Sequence, residues 1–337
     1  MKFQCLNSDE VINKTIIFGE ENASKPSPLH IAYGIDKNFL LGCGVSICSI
    51  LTHNKYNDFV FHVFIDSIPN EEIQRFSQLA LMYNTCINIH IINCDRLKKL
   101  PTTKNWSYAM YFRFLIADYF VNRQDRILYL DADVVCKGDI SKLSDIDFEN
   151  NVAAVVTERD KIWWALRAKS LQCIELENGY FNSGVLLLNI VKWAKEFVSD
   201  KAKAMLSDDI VISKLTYMDQ DVLNLILWDK VKFINNNYNT QFSINYELKD
   251  VVSNPINDDT IFIHYVGPTK PWHSWANYSS ALYFTNAKNL SPWKDTPLMS
   301  PNNSNYARYC AKHKFKQKKI LAGIINYMNY LYFKILK

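Results

Sequence analysis

The chain has 337 residues, of which 48% are hydrophobic and 14% aromatic, and it carries a formal net charge of +4 at pH 7. This composition excludes an intrinsically disordered protein and allows a large buried core. Eight Lys or Arg and no acid lie in residues 308–337, so residues 1–307 carry a net charge of −4, and we do not expect nucleic acid to be a partner.

Residues 1–27 are polar and are predicted to form an irregular N-terminal extension that ends near Pro26 and Pro28. From residue 28 onward, apolar segments with strand and helix character alternate. Strands are predicted over residues 29–35, 59–65, 87–92 and 127–130, and helices over residues 38–51, 70–83 and 108–121. This order predicts an α/β fold, with a mostly parallel sheet flanked by helices and ligands at the carboxyl ends of its strands.

Later segments continue the alternation. Strands are predicted over residues 152–157, 185–190 and 260–265, and a helix over residues 221–228. The glycine pair Gly42 and Gly44 lies inside a predicted helix and does not follow a strand, which indicates close helix packing and not a dinucleotide-binding loop.

The strand over residues 127–130 runs directly into Asp131-Ala132-Asp133. Side chains two positions apart in an extended chain point to the same side, so the two carboxylates can share one divalent cation and a ligand such as a diphosphate. A motif this short is equally compatible with an ordinary solvated turn.

His264 lies at the end of another predicted strand and would add a nitrogen ligand to the two carboxylates. This mixed set suits Mn²⁺ better than Mg²⁺, which prefers oxygen ligands. Gly267 permits close approach of the backbone, and Lys270 can place a point charge on a phosphate. A lone histidine is more often structural, so the prediction depends on these two neighbours.

Several polar side chains lie at the ends of apolar elements. Arg113 sits in an apolar helix, where a buried guanidinium needs either a protein acid or an anionic ligand. Asp219 alone fits a helix N-cap. Together with Asn182 and Gln220, it forms a set of donors and acceptors suited to the hydroxyls of a sugar.

Six segments resemble, in this order, the motifs of the retaining glycosyltransferases of family 8, and most closely the bacterial enzymes that add hexoses to the lipopolysaccharide outer core. They are residues 32–39, 106–113, 129–138, 180–184, 219–221 and 264–273, within a match over about residues 29–293. The resemblance implies a GT-A domain over residues 28–293. It also implies transfer of a hexose from UDP-glucose or UDP-galactose to a hydroxyl of the lipopolysaccharide core.

The resemblance assigns a role to each candidate residue. The implied ligands of Mn²⁺, with Mg²⁺ as the alternative ion, are Asp131, Asp133 and His264. The implied nucleotide-sugar contacts are Asp36, Asn38, Arg113, Ala132, Gly267 and Lys270. The implied catalytic groups around the donor sugar are Arg113, Asn182, Asp219 and Gln220, with Glu158 on the acceptor side. Lys37 departs from the pattern, since some relatives have an acid there.

Two routes to retention stay open on the sequence. One is a double displacement through a protein nucleophile, and the other is a front-face attack in which the leaving phosphate helps to deprotonate the acceptor. We favour the second route, because Gln220 would be a poor nucleophile.

Residues 294–337 are predicted to form a basic amphipathic tail. Five lysines between Lys312 and Lys319 precede apolar residues that recur at three- and four-residue spacings up to Ile335. Such a helix suits the surface of an anionic bilayer, here the cytoplasmic face of the inner membrane. A helix docked on the body or on a second subunit is the alternative.

The eight cysteines occur singly, without zinc-binding spacing, and we expect reduced thiols in a cytoplasmic protein, since no signal segment or long apolar run is present. Two other functions remain as alternatives. One is a metal-dependent phosphohydrolase that uses Asp131 as its nucleophile, although such enzymes usually carry this motif on their first strand. The other is a non-catalytic, membrane-associated carbohydrate-binding protein.

Overall fold

The structure is a computed structural model that describes residues 11–20, 28–55, 58–95, 97–100 and 108–335. Most of the predicted N-terminal extension, the motif residues Trp106 and Ser107, and the last two residues of the predicted tail lie outside these ranges. The strands are β1 (Ile12–Phe18), β2 (Leu29–Gly34), β3 (Phe59–Ile65), β4 (Cys86–Ile92), β5 (Arg126–Leu130), β6 (Val134–Cys136), β7 (Ala153–Thr157), β8 (Phe181–Asn189), β9 (Val231–Phe233), β10 (Thr240–Gln241) and β11 (Phe262–His264).

The α-helices connect and cover these strands. They are α1 (Leu40–His53), α2 (Asn70–Tyr83), α3 (Phe112–Phe120), α4 (Lys161–Leu171), α5 (Ile190–Lys195), α6 (Val198–Met205), α7 (Asp209–Ile212), α8 (Met218–Leu227), α9 (Leu282–Asn289), α10 (Ser304–Lys316) and α11 (Ile320–Ile335). One face of the main sheet packs against α1 and α2, and the opposite face packs against α3, α5, α6 and α8. The predicted α/β architecture with helices on both faces is therefore confirmed.

The main sheet has eight strands in the order β1-β4-β3-β2-β5-β8-β7-β9. The strands from β4 to β5 are parallel, as predicted, but β8 runs antiparallel to both β5 and β7, so this half of the sheet is mixed. Strand β8 is buried on both faces apart from its last residue, and an apolar run of this kind contains no signal for strand direction.

Strand β1 corrects the prediction that residues 1–27 are irregular. Residues Ile12–Phe18 pair antiparallel with β4 at the edge of the main sheet. Several of its side chains are exposed, so the segment lacks the continuous apolar character of a central strand. The short apolar run at residues 16–18, next to three polar residues, therefore forms an edge strand within a segment predicted to be irregular.

Three histidines form a hydrogen-bonded row across the parallel strands, which we call the histidine row. His30 on β2, His62 on β3 and His90 on β4 are joined by two imidazole–imidazole contacts of 3.0 Å each. Thr15 on β1 extends the row with a 3.0 Å contact to His90 Nδ1. All three imidazoles are buried, so their hydrogen bonds are made within the protein.

A second sheet of three strands has the order β10-β11-β6 and packs around its own apolar cluster, which includes Trp272 and Phe284. Helix α1 contacts this region through glycine, because a Cβ atom on Gly42 would lie 2.7 Å from the Trp272 ring. The interpretation of the glycine pair as helix packing is confirmed. The seven cysteines among the described residues are free thiols, as predicted.

The predicted tail is a pair of helices, where we expected a single amphipathic one. Helix α10 packs on the body, with buried His313 hydrogen-bonded to Tyr278 (2.8 Å) and Asn245 (3.0 Å). The chain then turns at Lys318, whose φ is +60°, and α11 follows. The lysines at 312, 314 and 316 thus belong to the docked helix and not to the apolar one.

Helix α11 exposes most of its apolar side chains. Exposed fractions are 79% for Leu321, 58% for Ile325 and 63% for Met328, whereas Gly323 is buried against Phe315 of α10. Within the described residues, no helix combines the length and the apolar character that crossing a bilayer requires. Helix α11 therefore presents an apolar face that the described part of the chain does not cover.

Candidate functional site

The two sheets meet at the Asp-Ala-Asp segment. Strand β5 of the main sheet ends at Leu130, and Asp131 donates its N–H to the carbonyl of Gly184 on β8 at 2.8 Å. The chain then enters β6 of the small sheet at Val134, which pairs with His264 on β11. Both acids and the histidine are thus fixed by strand pairing at one junction, as the sequence predicted from their positions at strand ends.

The predicted metal ligands Asp131, Asp133 and His264 converge. One ligand atom from each lies within 4.8 Å of the others, and His264 Nε2 lies 3.2 Å from Asp133 Oδ1 and 3.9 Å from Asp131 Oδ2. Asp133 Oδ1 is buried and has no hydrogen-bond partner among the described residues. A buried carboxylate oxygen without a partner is costly, so this donor set fits a divalent cation.

Lys270 supplies positive charge at the same carboxylate. Its ammonium pairs with Asp133 Oδ2 and donates to the carbonyl of Tyr265 at 2.9 Å. Burial raises the pKa of Asp133, but the groups around its carboxylate, with the Lys270 ammonium first, together outweigh burial and lower that pKa well below its usual value. Asp133 is therefore ionised, as a metal ligand must be.

Gly184 allows the junction to close. A Cβ atom at this position would lie 2.2 Å from His264 Cε1 and 2.8 Å from Asp131 Oδ2. Any side chain here would push the imidazole away from the carboxylates. The sequence analysis quoted Gly184 within a motif but gave it no role.

Arg113 connects the predicted metal ligand Asp131 to Asp219. Its guanidinium lies 2.9 Å from Asp219 Oδ2 and 3.2 Å from Asp131 Oδ1, and it donates to the Ser183 carbonyl at 2.6 Å. Burial lowers the pKa of Arg113, but the surrounding acidic groups, of which Asp219 contributes most, together outweigh burial and raise that pKa. Arg113 therefore pairs with protein acids, which was one of its two predicted roles. It also lies beside the predicted metal ligands, which is compatible with the other role, contact with an anionic ligand.

Asp219 is inside helix α8 and does not cap it, so the N-cap interpretation is wrong. Tyr217 occupies the N-cap position, and the helix begins three residues earlier than predicted, at Met218. Burial raises the pKa of the Asp219 carboxyl to about 6, against the opposing effect of Arg113. Asp219 is therefore a buried acid at the cleft, held by the arginine.

Asn182 and Gln220 form an amide network beside these acids. Asn182 Nδ2 donates to Glu158 Oε2 at 2.7 Å and to Gln220 Oε1 at 3.3 Å. Gln220 Oε1 also accepts the N–H of Ser183 at 3.0 Å. The structure thus brings Glu158, predicted on the acceptor side, into direct contact with the predicted sugar-binding residues.

The remaining predicted residues lie in turns. Asp36 Oδ1 accepts the N–H of Asn38 at 2.8 Å at the end of β2, and Asn38 itself is exposed. Gly267 has a φ of +90°, a conformation that favours glycine. Ala132 is buried within the Asp-Ala-Asp segment. Their contacts with a nucleotide stay predictions.

Two residues have roles that the sequence analysis did not assign. Asn239 lies between His264 and Asn182, at 3.0 Å and 2.9 Å, but it belongs to an asparagine-rich turn with no pattern that singles it out. Asp221 stands beside the site residues Asp219 and Gln220 but is structural, because both of its oxygens accept hydrogen bonds from Arg167 at 2.8 and 2.7 Å.

Comparison with known families and proteins agrees with this site. A family described as glycosyl transferase family 8 matches residues 30–276, and one described as glycosyl transferase family 8 C-terminal matches residues 278–334. The chain is 51% identical to the lipopolysaccharide 1,3-galactosyltransferase of Salmonella typhimurium, over 98% of each chain. It is also 51% identical to the lipopolysaccharide glucosyltransferase WaaO of Escherichia coli K12, over 97% of each.

Solved structures resemble the fold. The galactosyltransferase LgtC, in complex with donor and acceptor sugar analogues, superposes with a TM-score of 0.65 at 22% identity, over 78% of this chain and 96% of LgtC. The bifunctional glycosyltransferase WbbM gives a TM-score of 0.65 at 19% identity, over 81% of this chain and 52% of WbbM. These likenesses support the GT-A fold. With the family matches covering most of its length, the chain belongs to glycosyl transferase family 8 and is a glycosyltransferase.

Proposed function

We propose that this enzyme transfers glucose or galactose from a UDP-sugar to a hydroxyl of the lipopolysaccharide core, with retention of configuration, and that it uses Mn²⁺. The observation that carries the proposal is the convergence of Asp131, Asp133 and His264, with a buried carboxylate oxygen that has no hydrogen-bond partner among the described residues. The names of the two relatives at 51% identity support the acceptor class and leave both hexoses open.

Departure of UDP is assisted by positive charge at the junction of the sheets. Asp131, Asp133 and His264 hold the cation, which supplies Lewis-acid stabilisation of the diphosphate when bound. Lys270, already paired with Asp133, adds a second positive charge on the same side. Gly267 and Ala132 offer backbone groups to the phosphates, and Asp36 and Asn38 contact the uridine.

The donor sugar lies on the other side of this cluster, against Arg113, Asn182, Asp219 and Gln220. Arg113 orients Asp219 through their 2.9 Å contact, and the carboxylate of Asp219 would stabilise the positive charge that develops on the sugar. Glu158, linked to Asn182, lies towards the acceptor. Because Asp219 is held by Arg113 and Gln220 accepts a backbone N–H, neither is an unengaged nucleophile, which favours front-face attack.

The test is the release of UDP from UDP-glucose and UDP-galactose with Mn²⁺, with and without truncated lipopolysaccharide. Asp133→Ala should lower UDP release at least about 100-fold, since the cation and the charge that it carries are worth several kcal/mol. The exposed Asp145→Ala is the matched control and should retain activity. Release of phosphate from simple phosphomonoesters would favour the phosphohydrolase alternative, and no turnover at all would favour a binding protein.

Helix α11 attaches the enzyme to an anionic surface, on the cytoplasmic face of the inner membrane in this proposal. Its exposed face includes Leu321, Ile325 and Met328, and residues 308–337 contain eight Lys or Arg and no acid. Each basic residue near an anionic surface contributes about 1 kcal/mol, and each apolar side chain that inserts adds about 1.5–3 kcal/mol. This attachment brings the cleft to a lipid-linked acceptor.

Co-sedimentation with vesicles of phosphatidylglycerol and phosphatidylcholine tests the attachment. Ile325→Asp should lower the partition coefficient between vesicles and solution more than about tenfold. The substitution removes an apolar side chain that would insert into the bilayer, and it adds a negative charge that the anionic lipid repels. Asn329→Asp, which makes the same charge change at an exposed polar position of α11, should have a smaller effect. Equal binding of both variants would exclude insertion of this face, and a dimer dissociated by Ile325→Asp would show that α11 docks on a second subunit.

A further inference from the structure

Asn239 links the metal ligands to the sugar-binding amides. Its side chain is only 2% exposed and makes one contact on each side. On one side, Asn239 Oδ1 lies 3.0 Å from His264 Nδ1, and on the other, Asn239 Nδ2 donates to Asn182 Oδ1 at 2.9 Å. The residue therefore contacts both halves of the candidate site.

The direction of these hydrogen bonds is fixed by a backbone group. The N–H of Gly184 donates to Asn182 Oδ1 at 2.9 Å, so the oxygen of that amide, and not its nitrogen, faces Gly184. The same oxygen accepts from Asn239, which requires the amide nitrogen of Asn239 on that side. The oxygen of Asn239 therefore faces His264, and His264 Nδ1 must carry the hydrogen.

This assignment determines what His264 offers to a cation. A neutral imidazole with its hydrogen on Nδ1 has its lone pair on Nε2. His264 Nε2 is the atom that lies 3.2 Å from the unpartnered Asp133 Oδ1. Two lone pairs that face each other across this distance favour a cation between the two side chains.

The other arm of Asn239 orients the sugar-binding amide. Because Asn182 Oδ1 is occupied by Gly184 and Asn239, Asn182 Nδ2 is directed to Glu158 and Gln220. A rotation of the Asn182 amide would lose both of these contacts. Without Asn239, one of the two restraints on that amide is gone.

We propose that Asn239 is a positioning residue with two separable effects: its oxygen sets the tautomer of His264 for metal binding, and its nitrogen sets the orientation of Asn182 for sugar transfer. The inference rests on the proposed metal site. It goes beyond that site by assigning one residue to both binding and transfer, with each function carried by a different atom of the same amide.

Two substitutions separate the two atoms. Asn239→Ala removes both contacts, and it should weaken Mn²⁺ binding and lower kcat, each by about 10–100-fold, as is typical when an outer hydrogen-bond partner of a metal ligand is lost. Asn239→Asp keeps an oxygen for His264 but removes the donor to Asn182. It should therefore bind Mn²⁺ close to wild type, while kcat for UDP release stays at least about tenfold lower.

Mn²⁺ affinity is measured on metal-stripped protein by the electron paramagnetic resonance signal of the free ion, and kcat by UDP release. Asn54→Ala is the matched control, because Asn54 is also buried and bonded to backbone groups but contacts neither His264 nor Asn182 in the described structure. It should lower the melting temperature without changing Mn²⁺ affinity. Circular dichroism at each step shows that the variants are folded.

The outcomes are distinct for the two proposals. If wild-type protein and Asp133→Ala bind Mn²⁺ equally, the metal site fails and the role of Asn239 fails with it. If Asp133→Ala loses Mn²⁺ binding but both Asn239 variants bind Mn²⁺ as tightly as the wild type, the metal site stands and the role of Asn239 is wrong. Equal losses of Mn²⁺ affinity and kcat in Asn239→Ala and Asn239→Asp would also overturn the role of Asn239. A residue that only supports the fold would affect metal binding and transfer alike in both variants.

Discussion

Acid should destabilise this protein well before most of its carboxylates are protonated, because several of its histidines are buried in the neutral form. Burial, with a contribution from Arg123, lowers the pKa of His90 to about 4, and burial, with Lys312 and Lys314, lowers the pKa of His313 to about 4. His62, in the middle of the histidine row, has its pKa lowered well below its ordinary value by burial and by His90 and His30.

The sign of the effect follows from proton binding. Below its ordinary pKa of about 6.5, an imidazole in the unfolded chain binds a proton that the folded protein does not bind. The contribution of each neutral, buried histidine to the unfolding free energy is therefore fully present above about pH 6.5 and is lost as the pH falls towards 4. Between pH 7 and pH 5, each such histidine lowers the unfolding free energy by about 2 kcal/mol. The change is about 1.4 kcal/mol for each pH unit and for each proton that the chain takes up on unfolding.

His90 and His313 together should thus remove about 4 kcal/mol of unfolding free energy over this interval, and His62 should add to the loss. Asp219 acts in the opposite direction, because burial raises its pKa to about 6. Its protonation in the folded protein raises the unfolding free energy by about 1 kcal/mol over the same interval. The net loss is a large part of the 5–15 kcal/mol that is typical of a folded domain.

Urea denaturation followed by circular dichroism, at pH 7 and pH 5 with chelator present, measures this loss. His90→Gln should be less stable than wild type at pH 7, since it disrupts the histidine row, but its loss between pH 7 and pH 5 should be about 2 kcal/mol smaller. His53→Gln, at an exposed histidine, is the control and should follow the wild type. The same unfolding free energy for wild type at both pH values, or the same pH dependence for His90→Gln and wild type, would refute the reasoning.

Two further substitutions test particular contacts. Gly184→Ala should weaken Mn²⁺ binding more than about tenfold while leaving the circular dichroism spectrum unchanged, because the added Cβ would lie 2.2 Å from His264 Cε1; unchanged Mn²⁺ affinity in a titration would contradict this. Asp221→Asn should lower the unfolding free energy by about 3–5 kcal/mol, because Arg167 would remain buried without its counter-charge, and a melting temperature equal to that of wild type would show that the pair contributes little.

The parts of the molecule that could be predicted from sequence are those where a local pattern determines the structure. The run from Ile127 to Asp133 predicted a strand that ends in two acids, and pairing of Val134 with His264 brings the third ligand to them. The α/β alternation predicted the parallel strands from β4 to β5. In each case the hydrophobic period and the position of the polar residue carried the information.

Other features depend on contacts that no local pattern encodes. Strand β1 is largely exposed, and it forms because β4 offers an edge with which it can pair. Asp219 and Asp221 are near neighbours of the same type, and only the placement of Arg113 and Arg167 makes one a cleft residue and the other a structural one. Asn239 acquires its role from two partners, 25 and 57 positions distant in the chain.

Helix α10 supports the segment that contains Lys270. His313 and Lys314 on this helix hydrogen-bond to Thr269 and to the carbonyl of Ser274. His273 accepts the N–H of Lys270, and its ring contacts the Tyr306 ring of α10 at an interplanar angle of 54°. Helix α10, which lies within the predicted tail of residues 294–337, therefore packs against the part of the chain that contains the candidate site. A truncation after Lys316 removes α11 alone, whereas one that ends before Ser304 also removes the helix that hydrogen-bonds to the segment containing Lys270.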